Sequence, residues 1–180
     1  TSLTSFVLAD YPIIFTEDFE NTLGVPDGWT SDGTVLQAHN SPSRVLYGNL
    51  YTNDQTFEVI LPNVGEVNPG NEFRFNYRYV DFTPPHDSTI LSAGDTLFVT
   101  ISTDCGMTYS GLDTITSANH IPSTAMTLKR YDLSAYVGQL VRVRLFAQWG
   151  AGDYYLDLDD FYFGPAISSA VVVSSSYGGA

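Results

Sequence analysis

The stretch EFRFNYRYVDF, residues 72–82, alternates apolar and polar side chains along most of its length. A period of two is typical of a β-strand that buries one face and exposes the other. Arg74, Asn76 and Arg78 share the polar face. The stretch therefore predicts a long strand with one face in the core. The side chains expected in that core are Phe73, Phe75, Tyr77 and Tyr79.

The same alternation appears in LVRVRLFAQW, residues 140–149, where Arg142 and Arg144 oppose apolar neighbours. TLFVTIST (96–103) and TFEVIL (56–61) indicate shorter strands, separated by turns rich in Gly, Pro, Asn and Asp. No segment shows a convincing helical period. We therefore predict an all-β fold, an antiparallel β-sandwich of jelly-roll type. The core-facing side chains of 140–149 are expected to be Val141, Val143, Leu145 and Trp149.

Length and charge limit the classes of protein that remain. The chain has 180 residues, which fits one domain with a sizeable core. Its 20 acidic and 7 basic residues give a net charge of −13, which repels nucleic acid and anionic lipid and attracts cations. The sequence contains no apolar run of about 18 residues. We therefore expect neither nucleic-acid binding nor membrane insertion. The single cysteine, Cys105, excludes an internal disulfide.

The two ends of the chain differ from its middle. The sequence begins Thr-Ser-Leu, without Met or a signal peptide, which indicates a mature piece of a larger protein. Residues 166–180 are small and serine-rich, and we interpret them as a terminal strand or the end of a Ser/Gly-rich linker. The jelly-roll binding module is therefore expected to span residues 1–165.

Four segments carry a resemblance to a known family. They are FTEDFENTLGVPDGWT (15–30), VTISTDCGMTYSGL (99–112), KRYDLSAYVGQLVRVRLFAQ (129–148) and YYLDLDDFYFG (154–164). In this order they resemble MAM-like jelly-roll modules, most closely the cleaved adhesin, or choice-of-anchor, domains of bacterial gingipain and haemagglutinin proteins. The resemblance covers residues 13–165. It implies a secreted or cell-surface binding module with a β-sandwich fold and structural calcium, as one unit of a larger protein.

Acidic side chains gather near both ends of the strand-forming region. Strict alternation in residues 154–164 puts Asp160 on the core face, where an unpaired carboxylate is costly. In the resembled modules the first and last strands meet, which implies that Glu20 joins Asp160 around one Ca²⁺, with Asp159 and Asp18 as further ligands. Carboxylates and backbone carbonyls are the ligands that Ca²⁺ prefers. The alternative is that these acids line a solvated sheet edge and discourage aggregation.

Four arginines lie on the polar faces of the two long predicted strands: Arg74, Arg78, Arg142 and Arg144. We expect them to mark one outer face. If the two strands share a sheet, the guanidinium groups form a shallow platform that binds a sugar or an acidic peptide. The alternative is a solvated surface on which the arginines pair with neighbouring acids.

Signatures of catalysis are weak. His39, His86 and His120 lack the close spacing of a local zinc motif, and neither a nucleophile elbow nor a phosphate-binding loop occurs. STDCGMTY, residues 102–109, fits a single Asp-box, in which Asp104 is expected to hydrogen-bond backbone amides across a hairpin. A carboxylate pair for glycoside hydrolysis is a weaker alternative, because its geometry is not visible in a sequence.

The sequence therefore predicts a non-enzymatic, calcium-stabilised adhesin or ligand-binding module of a larger secreted or cell-surface bacterial protein. Its expected partner is a glycan or an extracellular host protein. The alternatives are a carbohydrate-binding module attached to a secreted hydrolase and a structural spacer domain. A fold alone does not distinguish these functions, so the site has to do so.

Overall fold

A computed structural model describes residues 15–167, which form two antiparallel sheets, one of six strands and one of five. The larger sheet contains β1 (Phe15–Glu17), β3 (Thr34–Leu36), β4 (Val45–Leu50), β6 (Asn71–Asp81), β9 (Thr127–Asp132) and β11 (Tyr154–Pro165). The smaller sheet contains β2 (Thr30–Ser31), β5 (Thr56–Ile60), β7 (Thr96–Ser102), β8 (Ser110–Thr116) and β10 (Arg142–Gln148). The described residues contain no α-helix, only one 3-10 turn at Ser134–Tyr136. The predicted all-β sandwich is confirmed.

The strand order is that of a jelly roll. The larger sheet runs β3-β4-β11-β6-β9, with β1 also paired to β11, and the smaller sheet runs β2-β5-β10-β7-β8. From β4 onward the chain repeatedly crosses between the sheets, so most neighbours in a sheet are distant in sequence. The last described strand, β11, therefore lies inside the larger sheet. Its far end pairs with β1, which puts Phe15 opposite Phe163.

The core lies between the sheets and is rich in aromatic side chains. The predicted core residues of β6 are buried, with Phe73 and Phe75 fully enclosed. Val143 and Leu145 of β10 face them from the smaller sheet, as the alternation predicts. Trp29 packs against the core and meets the ring of Phe161 edge to face, with ring centres 5.0 Å apart. Burial of these side chains supplies the main driving force for folding.

A β-bulge interrupts the alternation of β11. Asp159 pairs with Asn76 and Tyr162 with Arg74, so the two residues between them oppose a single residue of β6. Asp160 takes a left-handed backbone conformation, with φ of 51°, and its side chain is exposed. Phe161 occupies the core position instead. The prediction that Asp160 faces the core is wrong, because one extra residue reverses the alternation from that point on.

The chain ends lie mostly outside the described residues. The predicted terminal strand or linker of residues 166–180 is described only at Ala166 and Ile167, which follow β11. Within residues 15–167, helices of the length and hydropathy needed to cross a membrane are absent.

Candidate functional site

Two of the carboxylates predicted to hold calcium, those of Glu20 and Asp159, are both bound by the segment that precedes β4. The Ser43 hydroxyl donates a hydrogen bond to Asp159 Oδ2 at 2.7 Å. Close by, the backbone N–H of Arg44 donates to Glu20 Oε1 at 2.7 Å. The segment before β4 therefore joins the loop after β1 to the bulge in β11. We call Glu20, Asp159 and Asp160 the carboxylate junction.

The carboxylate junction concentrates negative charge around a buried acid. Asp159 is 3% exposed, and this burial raises the pKa of its carboxyl group to about 6. The hydrogen bond from Ser43 opposes the shift, whereas the negative charges of Asp160 and Glu20 add to it. Ion pairs found among residues 15–167 do not include Asp159. A cation beside this group would relieve the repulsion.

The four predicted ligands are close in the fold but do not form a ready cage. Asp18 Oδ1 accepts the Glu20 N–H at 3.1 Å, and Asp160 Oδ2 accepts a hydrogen bond from Asn76 at 2.7 Å. Over the described part of the chain, no group of three or more His, Cys, Asp or Glu side chains is arranged to hold a metal ion. The donor set is all oxygen, which fits Ca²⁺ in chemistry. Calcium binding stays a prediction.

A cavity of about 500 Å³ lies beside the carboxylate junction on the outer face of the larger sheet. Three acidic side chains and one arginine line this cavity. The guanidinium group of that arginine, Arg74, lies over the Tyr162 ring, 4.1 Å from its centre. The lining includes Glu17, Asp18, Arg74, Asn76, Asp160 and Tyr162.

The predicted arginines do not share one face. Arg74 and Arg78 belong to β6 of the larger sheet, whereas Arg142 and Arg144 belong to β10 of the smaller sheet. The outer faces of the two sheets point in opposite directions in a sandwich. The prediction that the four guanidinium groups form a single platform is therefore wrong. Sheet membership depends on long-range pairing, which the alternation of a strand does not specify.

Arg78 forms an ion pair with one of the buried acids of β11, Asp157. Its side chain is 5% exposed, and its Nε donates to Asp157 Oδ2 at 2.9 Å. The same guanidinium donates to the carbonyls of Thr124 and His39, at 2.7 and 2.8 Å. Asp157 is fully buried, and His39 Nδ1 lies 2.7 Å from its second oxygen. This network pins two loops over the outer face of the larger sheet.

The outer face of the smaller sheet presents aromatic side chains instead. Phe98 of β7 lies opposite Phe146 of β10, with ring centres 6.4 Å apart and ring planes at 22°. The Arg144 guanidinium lies 4.9 Å from the Phe146 ring centre and 5.5 Å from that of Tyr109. All four side chains are half-buried. We call Phe98, Tyr109, Arg144 and Phe146 the aromatic strip.

The sequence predicted Arg144 of the aromatic strip as a ligand-binding residue, but Phe98 was not among the predicted residues. The signal was present, because Phe98 alternates with the core residues Leu97 and Val99 and so stands on the solvent side of β7. A single aromatic residue on the solvent side of a strand is common, but Phe98 lies opposite Phe146 of β10, so the two rings form one contiguous patch. The Asp-box prediction agrees with the geometry, since Asp104 Oδ1 accepts the Thr108 N–H at 2.9 Å.

Comparison with known proteins establishes the fold. The sequence matches no protein-family model and no curated protein sequence. The K3 cleaved adhesin domain of Lys-gingipain from Porphyromonas gingivalis W83 is 18% identical, with a TM-score of 0.54 over 87% of this chain and 99% of that domain. The K1 domain of the same protein is 16% identical, with a TM-score of 0.55 over 85% and 98%.

A carbohydrate-binding domain has a similar fold. The CBM22-1 xylan-binding domain of Paenibacillus barcinonensis Xyn10C is 16% identical to this chain. Its TM-score is 0.50, over 87% of this chain and 97% of that domain. At such low identity these likenesses speak for the fold alone. They confirm that this chain resembles the cleaved adhesin domains in its β-sandwich.

Proposed function

We propose that this chain is a non-catalytic, extracellular binding module that holds a glycan on the outer face of its smaller sheet. The observation that carries the proposal is the aromatic strip, in which Phe98 and Phe146 stand side by side on the solvent side of the sheet. Solvent-facing aromatic pairs on neighbouring strands form a flat apolar surface, and such surfaces mark binding sites on soluble proteins.

The chemistry of the aromatic strip suits a sugar chain. A pyranose ring has an apolar face that packs on an aromatic ring, while its hydroxyls need hydrogen-bond partners around that ring. Arg144 supplies donors beside Phe146, and Glu58, which accepts from Arg144 Nε at 2.5 Å, supplies acceptors. Gln148 is exposed at the end of the same strand. An open strip of this kind suits an extended chain better than an enclosed small molecule.

The known structures with this fold support the class of function. They include adhesin domains of Lys-gingipain and a xylan-binding domain. Placement of this module outside the cell or on a bacterial surface rests on the same likeness. Capture of an extracellular protein through the aromatic strip is the second candidate, because aromatic and arginine side chains also dominate protein interfaces.

Calcium at the carboxylate junction completes the proposal. Glu20 and Asp159 bring carboxylate oxygens to the segment before β4, and burial beside two negative charges disfavours ionised Asp159 in the absence of a cation. A bound Ca²⁺ would stabilise the ionised carboxylates and brace the loop after β1 against β11. Its role is structural, since the aromatic strip lies on the other sheet.

A polysaccharide panel tests the glycan assignment. The 180-residue chain and the double variant Phe98→Ala/Phe146→Ala are compared on immobilised xylan, mannan and cellulose and on a glycan array. We expect binding by the wild type and a loss of about tenfold or more in the variant, since each stacked ring contributes about 1 kcal/mol. Phe82→Ala is the matched control, because Phe82 is exposed and belongs to the opposite face.

The outcomes separate the candidates. Equal binding by the double variant and the wild type removes the aromatic strip from the site. Capture of extracellular matrix proteins without glycan binding, lost in the same variant, replaces the glycan with a protein partner. Binding to neither class overturns the proposal in favour of a structural spacer.

A further inference from the structure

Two histidines that are distant in sequence meet on the outer face of the larger sheet. The rings of His39 and His86 have centres 5.1 Å apart, and both line a surface cavity of about 380 Å³. His39 stacks on Tyr155 with ring centres 3.7 Å apart, and its side chain is 6% exposed. The fold therefore holds one imidazole almost completely buried beside a second that is half-buried.

The hydrogen bonds of the two rings fix which nitrogen carries the proton. His39 Nδ1 lies 2.7 Å from a carboxylate oxygen of Asp157, and His86 Nδ1 lies 3.0 Å from the Asp81 carbonyl. Carboxylate and carbonyl oxygens only accept hydrogen bonds, so Nδ1 donates in both rings. In the neutral imidazoles Nε2 then carries the free lone pair. Within residues 15–167, neither Nε2 hydrogen-bonds to a protein group.

This arrangement is the one that proteins use around metal-binding histidines. Ligating imidazoles bind through one nitrogen and donate the other N–H to a carboxylate or a backbone carbonyl, which fixes the orientation of the ring. Two imidazoles that share a tetrahedral metal at about 2.0–2.1 Å place their ring centres roughly 5 Å apart. The ring centres of His39 and His86, 5.1 Å apart, are compatible with that spacing.

The backbone holds both histidines in an uncommon conformation. His39 and His86 have φ of 52° and 61°, in the left-handed region that non-glycine residues seldom adopt. The Asn40 side-chain amide donates to the Pro85 carbonyl, which ties the two histidine-bearing loops to each other. Backbone strain of this kind persists where the surrounding structure enforces it, and it is concentrated at functional sites.

We propose that His39 and His86 bind a divalent transition-metal ion, of which Zn²⁺ is the commonest, through their Nε2 atoms. Asp157 and the Asp81 carbonyl orient the two ligands from the outer shell. Imidazole nitrogen is a ligand that zinc, copper and nickel prefer, unlike the oxygen donors that calcium requires. Water completes the coordination, because the described residues offer two nitrogen ligands at this point. This site is separate from the carboxylate junction and from the aromatic strip.

Calorimetric titration with zinc chloride tests the site. The untagged 180-residue chain is titrated at pH 7.5 in saturating Ca²⁺, so that the carboxylates are occupied by the harder ion. We expect one zinc ion per chain, with binding at least about tenfold weaker in His86→Gln. His86 is half-buried, so this change disturbs packing less than a change at His39.

His120→Gln is the matched control. Both ring nitrogens of His120 are engaged, with the Tyr77 hydroxyl at 3.3 Å and the Thr89 carbonyl at 3.2 Å. We expect this variant to bind zinc like the wild type. Unchanged zinc binding in His86→Gln, or an equal loss in His120→Gln, would overturn the proposed site, whatever the result of the glycan experiments.

Discussion

The two outer faces of the sandwich use arginine in opposite ways. On the larger sheet Arg78 is 5% exposed and is enclosed by a carboxylate and two backbone carbonyls. On the smaller sheet Arg144 is 31% exposed, pairs with Glu58 and lies over two aromatic rings. The first arginine anchors loops, and the second stays available to a ligand. One face is therefore covered by loops that its arginine anchors, and the other is the open face on which we propose that a ligand binds.

The difference shows that a polar strand face is not always a solvated face. Both arginines occupy the polar positions of strands with the same alternation. Loops reach over β6 because the Arg78 guanidinium binds their carbonyls, and they also enclose Asp157. Buried charges are tolerated when they are paired and hydrogen-bonded, as this pair is.

The largest expected effect comes from breaking the buried pair. Arg78→Ala leaves the fully buried Asp157 without its guanidinium partner. Removal of one member of a buried ion pair costs about 3–5 kcal/mol, so we expect a loss of that size in the free energy of unfolding. Urea denaturation of the variant and the wild type measures it.

Arg144→Ala is the matched change on the open face. Partly exposed ion pairs contribute about 0–1 kcal/mol, so we expect the free energy of unfolding to fall by less than about 1 kcal/mol. Similar losses in the two arginine variants would contradict the contrast between the covered and the open face.

Adjacent residues of β10 give the next largest effect. Leu145 is 1% exposed in the core, whereas Phe146 stands on the open face. We expect Leu145→Ala to lower the free energy of unfolding by about 2–5 kcal/mol, as in other core truncations. Phe146→Ala should lower it by about 1 kcal/mol or less and should weaken glycan binding. Thermal unfolding and binding assays on both variants check the pair, and a larger stability loss for Phe146→Ala would contradict the assignment of faces.

A smaller effect depends on pH and concerns Asp159, which is buried in β11 like Asp157. The pKa of Asp159 is raised from 3.8 to about 6 in the folded protein. Between these values the unfolded chain binds fewer protons, so stability without calcium should fall as the pH rises from about 4 to 6. We expect Asp159→Asn to lack this fall and, in chelator at pH 7, to exceed the wild type by about 1–2 kcal/mol.

With calcium present, the wild type should instead be more stable than Asp159→Asn. A ligand in 100-fold excess over its Kd stabilises the folded state by about 2.7 kcal/mol, and Asp159→Asn should lose this gain. Glu58→Gln, a carboxylate change on the open face, should keep it. Melting temperatures of the three proteins with calcium and with chelator give the measurement. An identical response of all three to calcium would exclude the carboxylate junction as the calcium site.

Part of the candidate site was predictable from the sequence. The meeting of Glu20 with the acids of β11 was implied by the family resemblance, and the first and last described strands do pair. The inward position of Asp160 was predicted wrongly, because a bulge leaves no mark in the alternation before it. The sequence did not indicate the partners of the buried Asp157, because both Arg78 and His39 are distant from it in the chain.

The sequence by itself determined the β-sandwich and the core faces of β6 and β10, because alternation is a local property that an unbulged strand carries in its own residues. Only the tertiary structure decided which strands share a sheet, which outer face is covered by loops, and that His39 and His86 meet. These features depend on pairing between residues far apart in the chain. Such pairing is selected by the packing of the whole domain, and no single segment encodes it.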